Sequence, residues 1–226
     1  MKDINATVII NIKGKTEEEV LKNLEYSRRK NINKAINSGL VVEKTESEED
    51  YKKCYEMYAK IILEGGSTPF TYEVWRNWAK EEEWELFAIK KQEKTMGYFS
   101  VIKIDKGYYG LPFDGIGIRP RVFASDREYD DYRTNDFIYW NTILYGIKNN
   151  ANFVDLGGYQ INPRGHLKGV NSFKEKWGGE IFHYHLDYPF YTAIARKLVR
   201  NFDVFWWVNE KLKSKEPKKP ASFKLK

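Results

Sequence analysis

The sequence predicts a mixed α/β fold with a central, mostly antiparallel sheet flanked by helices, and three observations carry that expectation. Two long early stretches have helical patterns, the first with a capping box at its start and the second ended by a glycine-rich break. From Trp84 the pattern turns strand-like over three successive runs separated by short turns. Beyond Phe137, helical and strand patterns alternate to Leu212.

The elements follow in order. Thr7–Ile12 alternates little, but its β-branched residues favour a strand. Lys15–Gly39 reads as one helix: Thr16 and Glu19 have the form of a capping box, and Gly39 is a stop. Within it Arg28, Asn31 and Ala35 share one face. Leu40-Val41-Val42 begins a strand. Glu46–Leu63 is a second helix, with Tyr51, Tyr55, Tyr58 and Ile62 at helical spacing, and Gly65-Gly66-Ser67-Thr68-Pro69 breaks it. Thr71–Lys80 is a short helix carrying Trp75 and Trp78. Glu85–Lys90, Met96–Ile104 and Tyr108–Ile118 are three consecutive antiparallel strands, turned by Lys91–Lys94 and Asp105–Gly107. Phe137–Asn149 is helical, Ala151–Leu156 a strand, Gly169–Trp177 a short helix and Ile181–Tyr188 a strand. Tyr191–Leu212, containing Phe205-Trp206-Trp207, is a closing helix.

Composition narrows the function classes. The 226 residues are 42% hydrophobic and 16% aromatic, enough for a sizeable core and a partly apolar cleft. The net charge of +6 is a property of one segment: Lys211–Lys226 holds seven lysines and one glutamate, so the rest is formally neutral. The basic balance is therefore no sign of a nucleic-acid-binding domain. The tail, residues 213–226, reads as disordered, and offers weak, salt-sensitive contact with RNA or an anionic membrane surface. One cysteine excludes an internal disulfide, and neither a signal peptide nor an apolar run of about 18 residues is present. A reducing cytoplasm is the expected location, with membrane association through the tail. The chain divides into a lead-in strand and helix (1–40), a main domain (41–212) and the tail.

The chemistry concentrates in Asp155-Leu156-Gly157-Gly158 and in Gly169–Gly179. The first reads as a strand ending on a carboxylate and two glycines; the second is a short helix with a lysine and then a glycine pair. Lys174 can place an ammonium where a carbonyl oxygen becomes negative, or it can be a surface lysine beside a packed Phe173. Asp155 can orient an incoming amine, accept its proton, or cap the amides of Gly157 and Gly158. His166, in the loop Asn162–His166, is a general-base candidate. Gly157, Gly158, Tyr159, Arg119, Phe173 and Trp177 are the candidate substrate contacts, with both glycine pairs allowing close backbone approach. His183 and His185 share one side of a strand but have no third ligand at metal spacing, so no metal is expected. Cys54 has no adjacent base. Neither G-x-x-x-x-G-K-[ST] nor G-x-G-x-x-G occurs, so nucleotide-phosphate loops are unsupported.

The element order resembles that of the GNAT acyltransferase fold, and the motifs resemble the Fem family of peptidyltransferases, which add amino acids to peptidoglycan precursors from aminoacyl-tRNA. Thr7–Ile12 followed by Thr16–Leu21 is similar to the strand and acidic helix start that precede the family's Arg-Arg-x-x-Ile-x-Lys-Ala element, here Arg28–Ala35. Asn135–Ile147, with Trp140, resembles the helix before the family's strand ending in Asp-x-Gly-Gly, here Asp155–Gly158. Gly169-Val170-x-x-Phe173-Lys174-x-x-Trp177-Gly178-Gly179 is similar to Gly-Leu-x-x-Phe-Lys-x-x-Phe-Gly-Gly, with Trp177 in place of Phe. Only the second of the family's two GNAT-like halves is matched, together with its lead-in.

The resemblance implies that Lys174 stabilises the transition-state anion and that Phe173 packs where the aminoacyl end meets the acceptor. It implies an aminoacyl-tRNA donor, an amine of a cell-envelope (peptidoglycan-type) precursor as acceptor, and no cofactor. A second subunit completing the site, or a smaller substrate, would answer the missing half. Acyl-CoA is the alternative donor. CoA-dependent GNAT enzymes carry a glycine-rich pyrophosphate loop between their fourth strand and the next helix, whereas Arg119–Ile143 contains no glycine. A non-catalytic GNAT-like partner subunit is the third expectation.

Overall fold

The structure is a computed structural model, and it describes residues 1–65, 67–105 and 114–202. The basic tail, the segment Phe205-Trp206-Trp207 and most of the strand expected at Tyr108–Ile118 lie outside the described residues. Among those described, seven strands form one sheet: β1 (Lys2–Asn11), β2 (Val41–Thr45), β3 (Glu85–Lys91), β4 (Lys94–Ile104), β5 (Gly117–Ser125), β6 (Phe153–Tyr159) and β7 (Glu180–Asp187). Their order is β2-β3-β4-β5-β6-β1-β7. The helices are α1 (Glu17–Asn23), α2 (Tyr26–Asn37), α3 (Glu48–Glu64), α4 (Tyr72–Glu81), α5 (Thr134–Lys148), α6 (His166–Glu175) and α7 (Phe190–Asn201).

The mixed α/β class is as expected, and the sheet is mostly antiparallel. β1 pairs antiparallel with β6 and β7, β3 with β2 and β4, while β5 and β6 run parallel.

The chain clusters into two compact units, and the boundary does not fall at residue 40. One unit takes Met1–Ser27, Lys103–Arg119 and the chain from Tyr145; the other takes Arg28–Ile102 and Pro120–Leu144. The supposed lead-in strand is thus a full member of the sheet. β1 lies between β6 and β7 because Val8, Ile9 and Ile10 are all buried, as a strand packed on both faces requires. That unit's core is completed by Ile12, Phe153, Val154 and Trp177. The core of the other unit is built on Ile32, Trp75, Leu86, Ile89, Tyr98, Phe99 and Trp140.

The helix expected over Lys15–Gly39 is two helices. The capping box forms: Glu19 donates its amide to the Thr16 hydroxyl, and Thr16 donates its amide to the Glu19 carboxylate at 2.8 Å. Leu24 then leaves helical geometry (ψ 150°) and is buried, while Glu25 donates its amide to the Lys176 carbonyl at 3.3 Å. A tertiary contact therefore overrides a continuous helical pattern. In the second unit, the face of Arg28 and Asn31 finds one carboxylate: Arg28 donates to Asp136 of α5 at 2.6 Å and Asn31 at 3.1 Å. Burial raises the Asp136 pKa, and the Arg28 charge opposes that rise. The basic element Arg28–Ala35 serves here to hold α2 on α5, with Ile32 and Ala35 fully buried.

The largest correction concerns Arg119–Asp126. Arg119–Ser125 is not a connection but most of β5, Pro120 included. The connection to α5 is Asp126–Arg133, a 3-10 turn whose start is capped by the Asp126 side chain.

Candidate active site

The site of the first unit begins with an irregularity between β1 and β6. Thr7 lies opposite Gly158, but Ile9 lies opposite Asp155, so β6 carries one residue more than β1 over this stretch. That is a β-bulge, and Gly157 adopts φ +81° within it, a conformation that side chains resist. The strand does not end on the carboxylate, as the sequence suggested; it continues through both glycines to Tyr159.

Asp155 sits beneath the bulge and is fully buried. One oxygen accepts from the Thr7 hydroxyl and, at 2.8 Å, from the Gly157 amide; the other accepts from Arg119 at 2.6 Å. The parallel register that sets Ile118 beside Val154 puts Arg119 next to Asp155. Three donors thus consume the carboxylate, and burial keeps it from solvent. Asp155 holds the bulge and Arg119 in place; it is not placed to meet an incoming amine. Arg119, 11% exposed, likewise spends its charge on the carboxylate.

Lys174 arrives from α6. It is 7% exposed and donates to the Gly158 carbonyl at 2.7 Å. A Cβ on Gly157 would stand 3.7 Å from its Nζ, so the ammonium lies directly against the bulge. Burial pushes the Lys174 pKa down to about 8; Asp155 pulls it up, and Arg119 adds to the fall. It is mostly protonated at neutral pH. The reading of Lys174 as an ordinary surface lysine is therefore wrong.

The helix reaches the strand through a residue the sequence did not single out. Asn171, one turn before Lys174 and 3% exposed, accepts from the Gln160 amide at 3.0 Å and donates to the Gln160 carbonyl at 2.8 Å. The amide side chain offers an acceptor and a donor side by side, and so satisfies both backbone atoms at once. Asn171→Ala leaves both unpaired and loosens α6 from the end of β6. We expect a loss of about 1–3 kcal/mol in urea unfolding and a fall in kcat larger than any rise in KM. An unchanged kcat would remove Asn171 from the positioning of Lys174.

The other expected residues separate into contacts and scaffolding. Tyr159 is half-buried and donates to Glu175. Phe173 is half-buried, with its ring 6.1 Å from Trp177. Trp177 is fully buried and packs in the core, which corrects its expected role as a substrate contact. Gly179 is no ligand approach either, because a Cβ there would strike Val8 and the Ile9 carbonyl of β1 at 2.6 and 2.9 Å. Gly158 differs: it is exposed, and nothing lies within 4 Å of where its Cβ would be. His166 opens α6, and its side chain lies outside the described residues.

Gly158 and Tyr159 also line a cavity of about 460 Å³. Its other walls come from β1 (Ile4, Asn5, Ala6), the segment Gln160–Arg164, Tyr184 of β7 and the α7 residues Ala195, Arg196, Val199 and Arg200. Lys174 is not among the lining residues and adjoins the cavity through the Gly158 carbonyl.

Among the described residues no group of three His, Cys, Asp or Glu could hold a metal, and His183 and His185 are both exposed on β7. Cys54 is buried, which pushes its thiol pKa far up and leaves it inert. Where a CoA pyrophosphate would meet helix amides, the Asp126–Arg133 connection has no glycine and carries Asp126, Glu128, Asp130 and Asp131, with Asp136 in the first turn of α5. Arg127 and Arg133 lie in the same segment and Asp126, Glu128 and Asp136 pair with Lys60, Lys94 and Arg28, so the connection is mildly acidic.

Two comparisons agree with this architecture. The FemAB family model matches residues 1–62. The crystal structure of FemX superposes with a TM-score of 0.66 at 17% identity, covering 84% of this chain and 63% of that one. The fold is thus similar to that of FemX, and the first 62 residues match the FemAB family. The chain is also similar to the C-terminal domain of a proposed lysylphosphatidylglycerol synthetase from Agrobacterium fabrum (TM-score 0.53, 10% identity, 87% of this chain and 65% of that one). It is similar as well to L-PGS from Bacillus licheniformis (TM-score 0.53, 11% identity, 89% and 68%). No curated protein sequence matches the chain. The chain thus spans under two thirds of the FemX chain. The family-matched residues include β1, and so supply Thr7 to the buried Asp155 cluster.

Proposed function

We propose that this domain is an acyltransferase of the Fem-like GNAT branch, moving an aminoacyl group from aminoacyl-tRNA to an amine of a cell-envelope, peptidoglycan-type precursor. The observation that carries the reading is a buried ammonium, Lys174, held against a glycine bulge by one carbonyl and still able to donate further hydrogen bonds. In the proposed reaction the acceptor amine attacks the ester carbonyl and a C–N bond forms. The carbonyl oxygen becomes an anion, which Lys174 stabilises from a site poor in water. Collapse breaks the ester C–O bond, and the released ribose hydroxyl receives the proton lost by the amine. His166 is the proposed proton carrier, with Asp155, buried and already accepting three hydrogen bonds, as the alternative.

The likeness to FemX and to a protein named for making lysylphosphatidylglycerol supports an aminoacyl donor. The acidic, glycine-free connection before α5 weighs against acyl-CoA. No described helix is long and apolar enough to cross a membrane. A further subunit could complete the acceptor site.

The test is donor binding and single-turnover transfer with charged tRNA, uncharged tRNA and acetyl-CoA. Binding that prefers charged tRNA, survives moderate salt and leads to transfer onto an amine is the expected result. Stoichiometric acetyl-CoA binding undisturbed by RNA would move the protein to the CoA-dependent branch. Failure to bind any donor would leave the partner-subunit reading.

A further inference from the structure

The bulge that seats Lys174 is held from outside its own strand. Thr7 of β1 lies opposite Gly158, and β6 takes one step more than β1 before Asp155 meets Ile9. The Thr7 side chain spans that irregularity. It is fully buried, and its hydroxyl donates to the same Asp155 oxygen that accepts the Gly157 amide at 2.8 Å. Gly157 holds φ +81°, and the next carbonyl, that of Gly158, receives the Lys174 ammonium at 2.7 Å. Strand packing does not ask for this hydroxyl: Ala6, Val8 and Ile9 around it are apolar and buried, and valine has the same shape with an equal liking for strands. A hydroxyl taken out of water needs an acceptor, and a β-branched side chain presents it in one direction. Among the described residues two charged groups act on Lys174, Asp155 of β6 and Arg119 of β5, themselves paired at 2.6 Å. Glu175, the next residue of α6, accepts instead from Tyr159. One donor on Asp155 therefore bears both on the direction of the Gly158 carbonyl and on the charge facing the ammonium.

From this we infer that Thr7 is a positioning residue of the site: through Asp155 it sets the bulge, and the bulge sets the carbonyl that aims the Lys174 ammonium. Its part in turnover rests on the acyl-transfer reading; the aiming of the ammonium does not. Thr7 touches neither Lys174 nor the reacting atoms in this account, so its effect must pass through the carboxylate and the glycines.

Two readouts on the full chain test this. In transfer assays Thr7→Val is expected to lower kcat about tenfold while KM stays within about twofold, as a misaimed group does. Made in Lys174→Met, the same substitution is expected to change the residual rate less than about twofold, since no ammonium is left to aim. The second readout needs no activity: NMR titration of isotope-labelled lysine, in which the resonance missing from Lys174→Met identifies Lys174. Loosened from Gly158 and nearer water, the ammonium of Thr7→Val is expected to titrate about half a pH unit or more above wild type. Thr7→Ser restores the donor and should return most of that difference. Thr7→Ala takes the place of Thr7→Val should the latter not fold. An unchanged titration, an unchanged kcat, or an equal fall in rate with and without Lys174 would overturn the inference. A displaced titration in a protein that transfers no acyl group would keep Thr7 as the residue that aims Lys174 and reject the acyl-transfer reading.

Discussion

Lys174→Met is expected to abolish most turnover without destabilising the protein. An oxyanion donor of this kind contributes ~10²–10³-fold to kcat, so transfer should fall by about that factor. Stability should move the other way. Burial lowers the Lys174 pKa from 10.5 to about 8, so the folded protein holds the charged form at a cost on the order of 3 kcal/mol at neutral pH. Methionine has similar length and no charge, so the variant should match or exceed the wild type in urea unfolding, less the bond to Gly158. The sign of the pH dependence follows. Between about 8 and 10.5 the unfolded chain binds more protons at this lysine than the folded chain, so wild-type stability rises with pH relative to the variant across that window. The rate runs opposite: if the ammonium is the active form, kcat falls as pH passes about 8. A variant that turns over normally, or a wild-type rate that rises through this range, would remove Lys174 from the chemistry.

Asp155→Ala should behave as a structural lesion first. It leaves the Arg119 guanidinium buried without its carboxylate and takes the acceptor from Thr7 and from the Gly157 amide. Breaking a buried pair in this way costs about 3–5 kcal/mol, a large part of the stability of an ordinary domain. Denaturant melts of the two variants should therefore separate cleanly, with Lys174→Met near wild type and Asp155→Ala far below it. A well-folded Asp155→Ala protein that has lost only its rate would restore the proton-transfer role.

Local signals were the legible ones. Thr16 and Glu19 act within one turn, and they form the expected capping box in the structure. The break at Leu24 was not legible, because the carbonyl that receives the Glu25 amide lies 151 residues along the chain, at Lys176. The strand over Arg119–Ser125 was not legible, since Pro120 punctuates the pattern where the strand in fact continues. Within the site, Asp155 and Lys174 could be picked out by residue type and motif. The bulge could not, because register is a property of two strands, and Asp155 shows its structural role only when Thr7 and Arg119 stand beside it. Asn171 left no mark at all: an asparagine on a helix has many uses, and only its pairing with Gln160 reveals this one.

The position of β1 sets the order in which the molecule can assemble. Its partners along the sheet are Phe153–Tyr159 and Glu180–Asp187. On the ribosome this strand is thus made long before either of its neighbours. Closing a loop of that length adds little to the equilibrium cost but slows the search. Meanwhile Val8-Ile9-Ile10 waits without a partner, an apolar strand with open hydrogen-bonding edges. The same arrival that ends this exposure brings Thr7 to Asp155. The site and the riskiest stretch of the nascent chain are therefore completed in one event.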